Sequence, residues 1–184
     1  NQGFTAAAVL LRERYSISVE FQRVAEDAAM RDNPEPAAVY AVRSAALWRD
    51  QAWKLRETGE FFMRLNLPER GIAYFERALD VSDSLAQDAD AFGSLAEAYR
   101  RLGERERYIE YAREYVETIE QVEELGDDLS THQDGMRHHY QAEILLEDKK
   151  PADAHRAYEI ASTIITEPSR PPDILLAMAN LQTR

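Results

Sequence analysis

Gly71-Ile72-Ala73-Tyr74-Phe75-Glu76-Arg77-Ala78-Leu79 carries a small residue, an aromatic and a second small residue, Gly71, Phe75 and Ala78, at helical spacing. Residues four and then three apart share one face of a helix. A glycine there costs about 1 kcal/mol relative to alanine if it is exposed, so a second helix packed close by is the reason to keep it. Just upstream, Leu55, Thr58-Gly59 and Phe62 set a small residue midway through the preceding helix and a large apolar one three later.

That pair of patterns returns twice. Phe92, Leu95-Ala96 and Tyr99 are followed by Gly103 and then by Tyr108, Ala112 and Tyr115. His138, Gln141-Ala142 and Leu145 are followed by Ala154, Tyr158 and Ala161. The middle copy inverts the order of small and bulky residues on its second helix, which reads as a volume-conserving exchange between the two helices. Gly59, Ala96 and Ala142 are expected to let paired helices approach, with Phe62, Tyr99 and Leu145 filling the layer between neighbouring hairpins.

Turn and cap residues fall where these helices should stop. Asn33-Pro34-Glu35-Pro36, Asn66-Leu67-Pro68 and Asp148-Lys149-Lys150-Pro151 end one helix and open another. Gly103 and Gly126 each follow a leucine that closes an apolar pattern. Ser84 to Gln87 and Ser130 to Gln133 have the form of capping boxes. The expected helices are 4–14, 17–31, 37–66, 69–82, 85–102, 105–125, 131–148, 151–166 and 173–182. Tyr15, Ile17, Val19 and Phe21 alternate as a strand would, but a lone strand would leave its backbone unpaired, so this stretch is read as the start of a helix.

Over Leu55 to Ala161 these residues resemble the tetratricopeptide repeat, with spacings of 37 and 46 residues where the family has 34. The resemblance implies an all-α fold: a right-handed superhelical stack of antiparallel helix pairs, a TPR-like α-solenoid. Residues 1–50 are read as a degenerate N-terminal pair and the start of a long helix, 51–166 as three pairs, and 173–184 as a C-terminal capping helix, all in one structural domain. The stripe of Ile174, Leu175, Leu176, Met178 and Leu181 is the one expected of such a helix, or equally of half of a further repeat.

Composition agrees. Ala, Leu, Glu and Arg, all strong helix formers, dominate a chain of 184 residues that is 45% hydrophobic and 30% charged. Cysteine is absent, which excludes disulfides, thiol nucleophiles and Cys-ligated zinc. The longest apolar run, Ala6 to Leu11, is far short of the roughly 20 residues that span a bilayer. No secretory signal is visible, so the expected location is cytoplasmic. Nineteen of the 22 basic residues are arginine, which suggests a GC-rich, bacterial genome. A net charge of −12 argues against nucleic acid and anionic lipid as partners.

In the resembling family the first helices of successive pairs line a concave surface that meets a protein or peptide. Carried over, the corresponding positions here are Trp53, Arg56, Glu60, Met63 and Arg64 in the first copy. In the second they are Asp90, Gly93, Glu97, Arg100 and Arg101, and in the third Met136, His139, Glu143, Leu146 and Glu147. Glu60, Glu97 and Glu143 recur at one position, a row suited to a basic partner segment. The competing explanation is intrahelical: Glu60 and Glu97 each precede an arginine by four residues, a pair worth about 0.3–0.5 kcal/mol. The Lys and Asn side chains with which some family members grip a C-terminal carboxylate are replaced here, so that activity is not expected.

His139 and Glu143 share a helix face, but no third ligand is placed near them, so neither a metal nor a cofactor is expected. No phosphate loop, His-Glu-x-x-His or activated nucleophile is present, so neither is catalysis. The expected role is non-catalytic protein binding. A sensory or regulatory module of a larger protein, and a structural subunit or homo-oligomer, are the alternatives.

Overall fold

The computed structural model describes residues 2–165, with side chains from residue 8 onward. The chain folds as eight helices among the described residues: α1 Gln2–Met30, α2 Pro34–Leu47, α3 Ala52–Arg64, α4 Pro68–Asp80, α5 Leu85–Leu102, α6 Arg105–Glu124, α7 Thr131–Glu147 and α8 Pro151–Ile164. They pack as adjacent pairs, α1 with α2, α3 with α4, α5 with α6 and α7 with α8, a TPR-like arrangement. Two compact units result, Asn1–Ser82 and Asp83–Arg184. The expected capping helix, 173–182, lies outside the described residues.

The punctuation works as its chemistry dictates. Asn66, Lys149, Gly103 and Gly126 all take left-handed backbone conformations at helix ends, and prolines open α2, α4 and α8. Ser130 and Gln133 form a full capping box at α7. At α5 the Ser84 hydroxyl accepts from the Gln87 amide at 3.4 Å.

Two expected boundaries are corrected. The helices read over 4–14 and 17–31 are one continuous α1, since Tyr15 and Ser16 bring no turn chemistry. The helix read over 37–66 is two, broken at Trp48–Gln51. No Gly, Pro or Asn marks that break. Instead Arg14 of α1 donates its Nε hydrogen to the Leu47 carbonyl, pairs with Asp50 at 3.0 Å and lays its guanidinium 4.2 Å from the Trp48 ring centre. The turn is held from outside its own sequence.

In the first unit α1 and α2 run antiparallel along Ser18, Ala25, Ala37, Ala41 and Ser44, all buried, with the two serine hydroxyls 2.9 Å apart. Twenty-nine residues of α1 against fourteen of α2 leave the segment before Arg14 beyond the end of its partner. Val9, Leu10 and Leu11 are accordingly exposed. The α3–α4 pair crosses at Gly59 and Gly71: a Cβ on Gly71 would lie 3.1 Å from the Gly59 carbonyl oxygen, and one on Gly59 would lie 2.4 Å from the Phe75 ring.

The second unit repeats that device. A Cβ on Gly93 would touch the Tyr115 ring at 3.2 Å, and one on Gly135 would overlap Ile165. The α3–α4, α5–α6 and α7–α8 pairs therefore each set a glycine of the first helix under a bulky side chain from, or just after, the second. This explains the inverted middle copy, because Gly93 makes room for Tyr115. Tyr140 of α7 locks the unit together, with its ring edge-on to Tyr108 and Tyr115 and its hydroxyl donating to the Gly93 carbonyl at 3.0 Å. Phe62 and Tyr99 find their ring partners, Tyr74 and Tyr111, inside their own pairs. Leu145 packs on the α7–α8 cluster of Ala142, Tyr158 and Ala161. The contacts described for these three thus lie within their hairpins.

Candidate protein-binding surfaces

Of the first-copy positions, Trp53, Arg56, Glu60 and Arg64 reach the surface of the first unit to differing degrees, and Met63 does not. Met63 is 7% exposed, and its sulfur sits against the Gly71 position of α4, so it belongs to the helix crossing. Glu60 pairs with Arg56, one turn before it, rather than with Arg64. Arg64 instead places its guanidinium 5.3 Å from the Phe61 ring centre.

In the second unit Glu97 accepts from Arg100 at 2.7 and 3.0 Å and from Arg101 at 2.7 Å. Burial pushes the Glu97 carboxyl up, but these hydrogen bonds outweigh it and hold the group below its ordinary range. Glu143 has a different part. It accepts from Arg105 of α6 at 2.7 Å and from the Tyr158 hydroxyl of α8, and its side chain is only 14% exposed. Desolvation alone would lower the Arg105 value, yet the bonds to Glu143 and Glu147 raise it. His139 is 2% exposed, between the rings of Tyr140 and Tyr158. The three aligned glutamates thus differ in environment: Glu60 and Glu97 pair along their own helices, while Glu143 ties α6, α7 and α8 together. Among the described residues no group of three or more His, Asp and Glu converges as a metal site would require.

Two features escaped the alignment. Residues 83–184 hold 22 of the 34 acidic and 11 of the 22 basic side chains, and so carry −11 of the net −12. The second feature is a cleft of about 340 Å³ in the first unit, walled by Tyr15, Val19, Trp48 and Trp53, with Lys54 and Glu57 beside them. Its signal was present in the sequence. Arg14, Ser18, Phe21 and Ala25 form the inward stripe of α1, so Tyr15 and Val19 lie on a second, exposed apolar face of that helix.

No protein-family model matches the chain, and no curated protein matches its sequence. Among solved structures, the crystal structure of MamA protein is similar over 91% of this chain and 81% of that one, with a TM-score of 0.60 and 12% identity. At that identity the likeness is one of fold. Among the described residues no helix is long and apolar enough to cross a membrane.

Proposed function

We propose that the chain is a non-catalytic protein-interaction module whose partners dock on the exposed faces of the first helices of its pairs, and that these partners carry basic segments. The observation that carries this reading is the repeated pairing of helices, with a glycine–bulky lock inside the α3–α4, α5–α6 and α7–α8 pairs. The lock assigns the apolar faces to the interior and leaves the polar faces of α3, α5 and α7 for other molecules. The excess of 22 acidic over 11 basic residues in the second unit supports a cationic partner, since opposite charge speeds encounter and suppresses wrong pairings.

Immobilised wild type and a Glu60→Lys/Glu97→Lys variant, each checked for helicity by circular dichroism, are to be compared for proteins retained from source lysate. Glu143 is left intact because its reversal would strand Arg105 and Tyr158. The variant should lose basic proteins that wild type retains, and raised salt should elute the same set. Equal capture by both would assign these glutamates to helix stabilisation alone.

A further inference from the structure

We propose that the cleft beside the α2–α3 turn is a docking pocket for a partner segment that inserts one bulky apolar side chain against Trp53 and presents a basic residue to Glu26. The proposal rests on the protein-binding reading above and specifies its chemistry. Among the described residues Tyr15 and Trp53 are the exposed aromatic side chains, 59% and 47%, and both line this one cleft. Half-exposed aromatic and β-branched side chains gathered at a concavity mark a binding surface rather than core. A volume of about 340 Å³ is at the small end of ligand sites, which suits an inserted side chain better than a large cofactor.

The pocket is preorganised. Arg14 covers Trp48, and the Trp53 ring lies against Trp48 at 6.2 Å between centroids, so little side-chain freedom is lost when a partner arrives. At its edge the Lys54 side chain, 6% exposed, donates to Glu57 at 2.7 Å and to Gln22 at 3.3 Å. The same ammonium lies 5.9 Å from the Trp53 ring centre, a cation–π contact that further supports the indole. Charge then selects the flanking residue. Glu57 is neutralised by Lys54 and Arg23 by Glu20, whereas among the described residues Glu26 receives only a 3.3 Å hydrogen bond from the Gln22 amide. The uncompensated rim charge is negative.

Both tryptophans of the chain belong to this pocket, so intrinsic fluorescence reports its occupancy. A random dodecapeptide library is to be panned against the full chain, and the enriched synthetic peptides titrated by tryptophan emission into wild type, Trp53→Ala, Tyr15→Ala and Glu26→Lys. The expected consensus sets Trp, Phe or Leu beside Lys or Arg and shifts the emission. Affinity should fall at least ~10-fold in Trp53→Ala and ~3-fold or more in Glu26→Lys, the latter difference shrinking at high salt. Tyr15→Ala, read through the intact indoles, keeps the test open if Trp53→Ala misfolds. Peptides that bind without moving the emission, and equally to all variants, would overturn the pocket while leaving the protein-binding reading in place. An acidic consensus, or no enrichment, would overturn the pocket too. A concentration-dependent emission with a doubled solution mass would show that a second copy fills it, which also overturns the proposal.

Discussion

Phe75 is 1% exposed, and its ring occupies the space a Cβ would need on Gly59. Glycine is therefore required there by contact, and Gly59→Ala should cost about 1–3 kcal/mol as an overpacked core does, seen as a lower urea midpoint with an unchanged slope. The tyrosines of the second unit give a sharper contrast. The Tyr108 hydroxyl is buried with no hydrogen-bond partner among the described residues, and burial pushes its pKa strongly up, with the charge of Glu143 adding to the effect. Tyr140 instead donates to Gly93. Tyr108→Phe should be neutral or stabilising by up to about 1 kcal/mol, whereas Tyr140→Phe should lose about 1 kcal/mol, because an unmade buried bond costs and a made one helps. Equal losses in urea titrations would show that Tyr108 has a partner, such as a buried water.

Helix ends carry the next level. Ser130 is both donor-satisfying cap and half of a reciprocal box at 3.1–3.2 Å, while at Ser84 the cap bond from the Gln87 amide is a longer 3.4 Å. Ser130→Ala should cost about 1 kcal/mol and Ser84→Ala distinctly less; thermal melts of the two variants decide the order. Two turns further along α7, His138 is pushed down by burial and by the neighbouring Arg137, against the opposing pull of Asp134. Its folded-state value lies below the ordinary 6.5, so the unfolded chain takes up a proton first. The stability that neutral His138 permits is full above about pH 6.5 and is lost as pH falls through the lowered value. Glu97, also lowered, adds to the loss only below the ordinary carboxylate range. The drop in urea midpoint between pH 7.5 and 5.5 should therefore be smaller in His138→Gln than in wild type. An identical drop in both would remove His138 from the account.

Charge is distributed between the two units very unequally, −11 in residues 83–184 against −1 in residues 1–82. Like charges repel across a folded surface, and salt screens them over a Debye length of about 10 Å at 0.1 M. Hydrogen exchange on the intact chain should thus slow several-fold in α5–α8 as salt rises from 10 to 300 mM, with a much smaller change in α1–α4. A uniform change along the chain would refute self-repulsion as the cause.

Most of the helix inventory was legible because its causes are local: Asn66, Gly103, Gly126, Pro68 and Pro151 act on their own backbone, and the spacing of Gly71, Phe75 and Ala78 fixes one buried face. The break after Leu47 was not legible, since its cause is Arg14, more than thirty residues away. The same distance hid the separate natures of Glu60, Glu97 and Glu143, which share a register in sequence but not their neighbours. Local chemistry in the sequence decided which segments coil and where they stop. Only the packing of one helix on another decided that Met63 and His139 are interior, that Glu143 is a tie, and that Tyr15, Trp48 and Trp53 meet around one cleft.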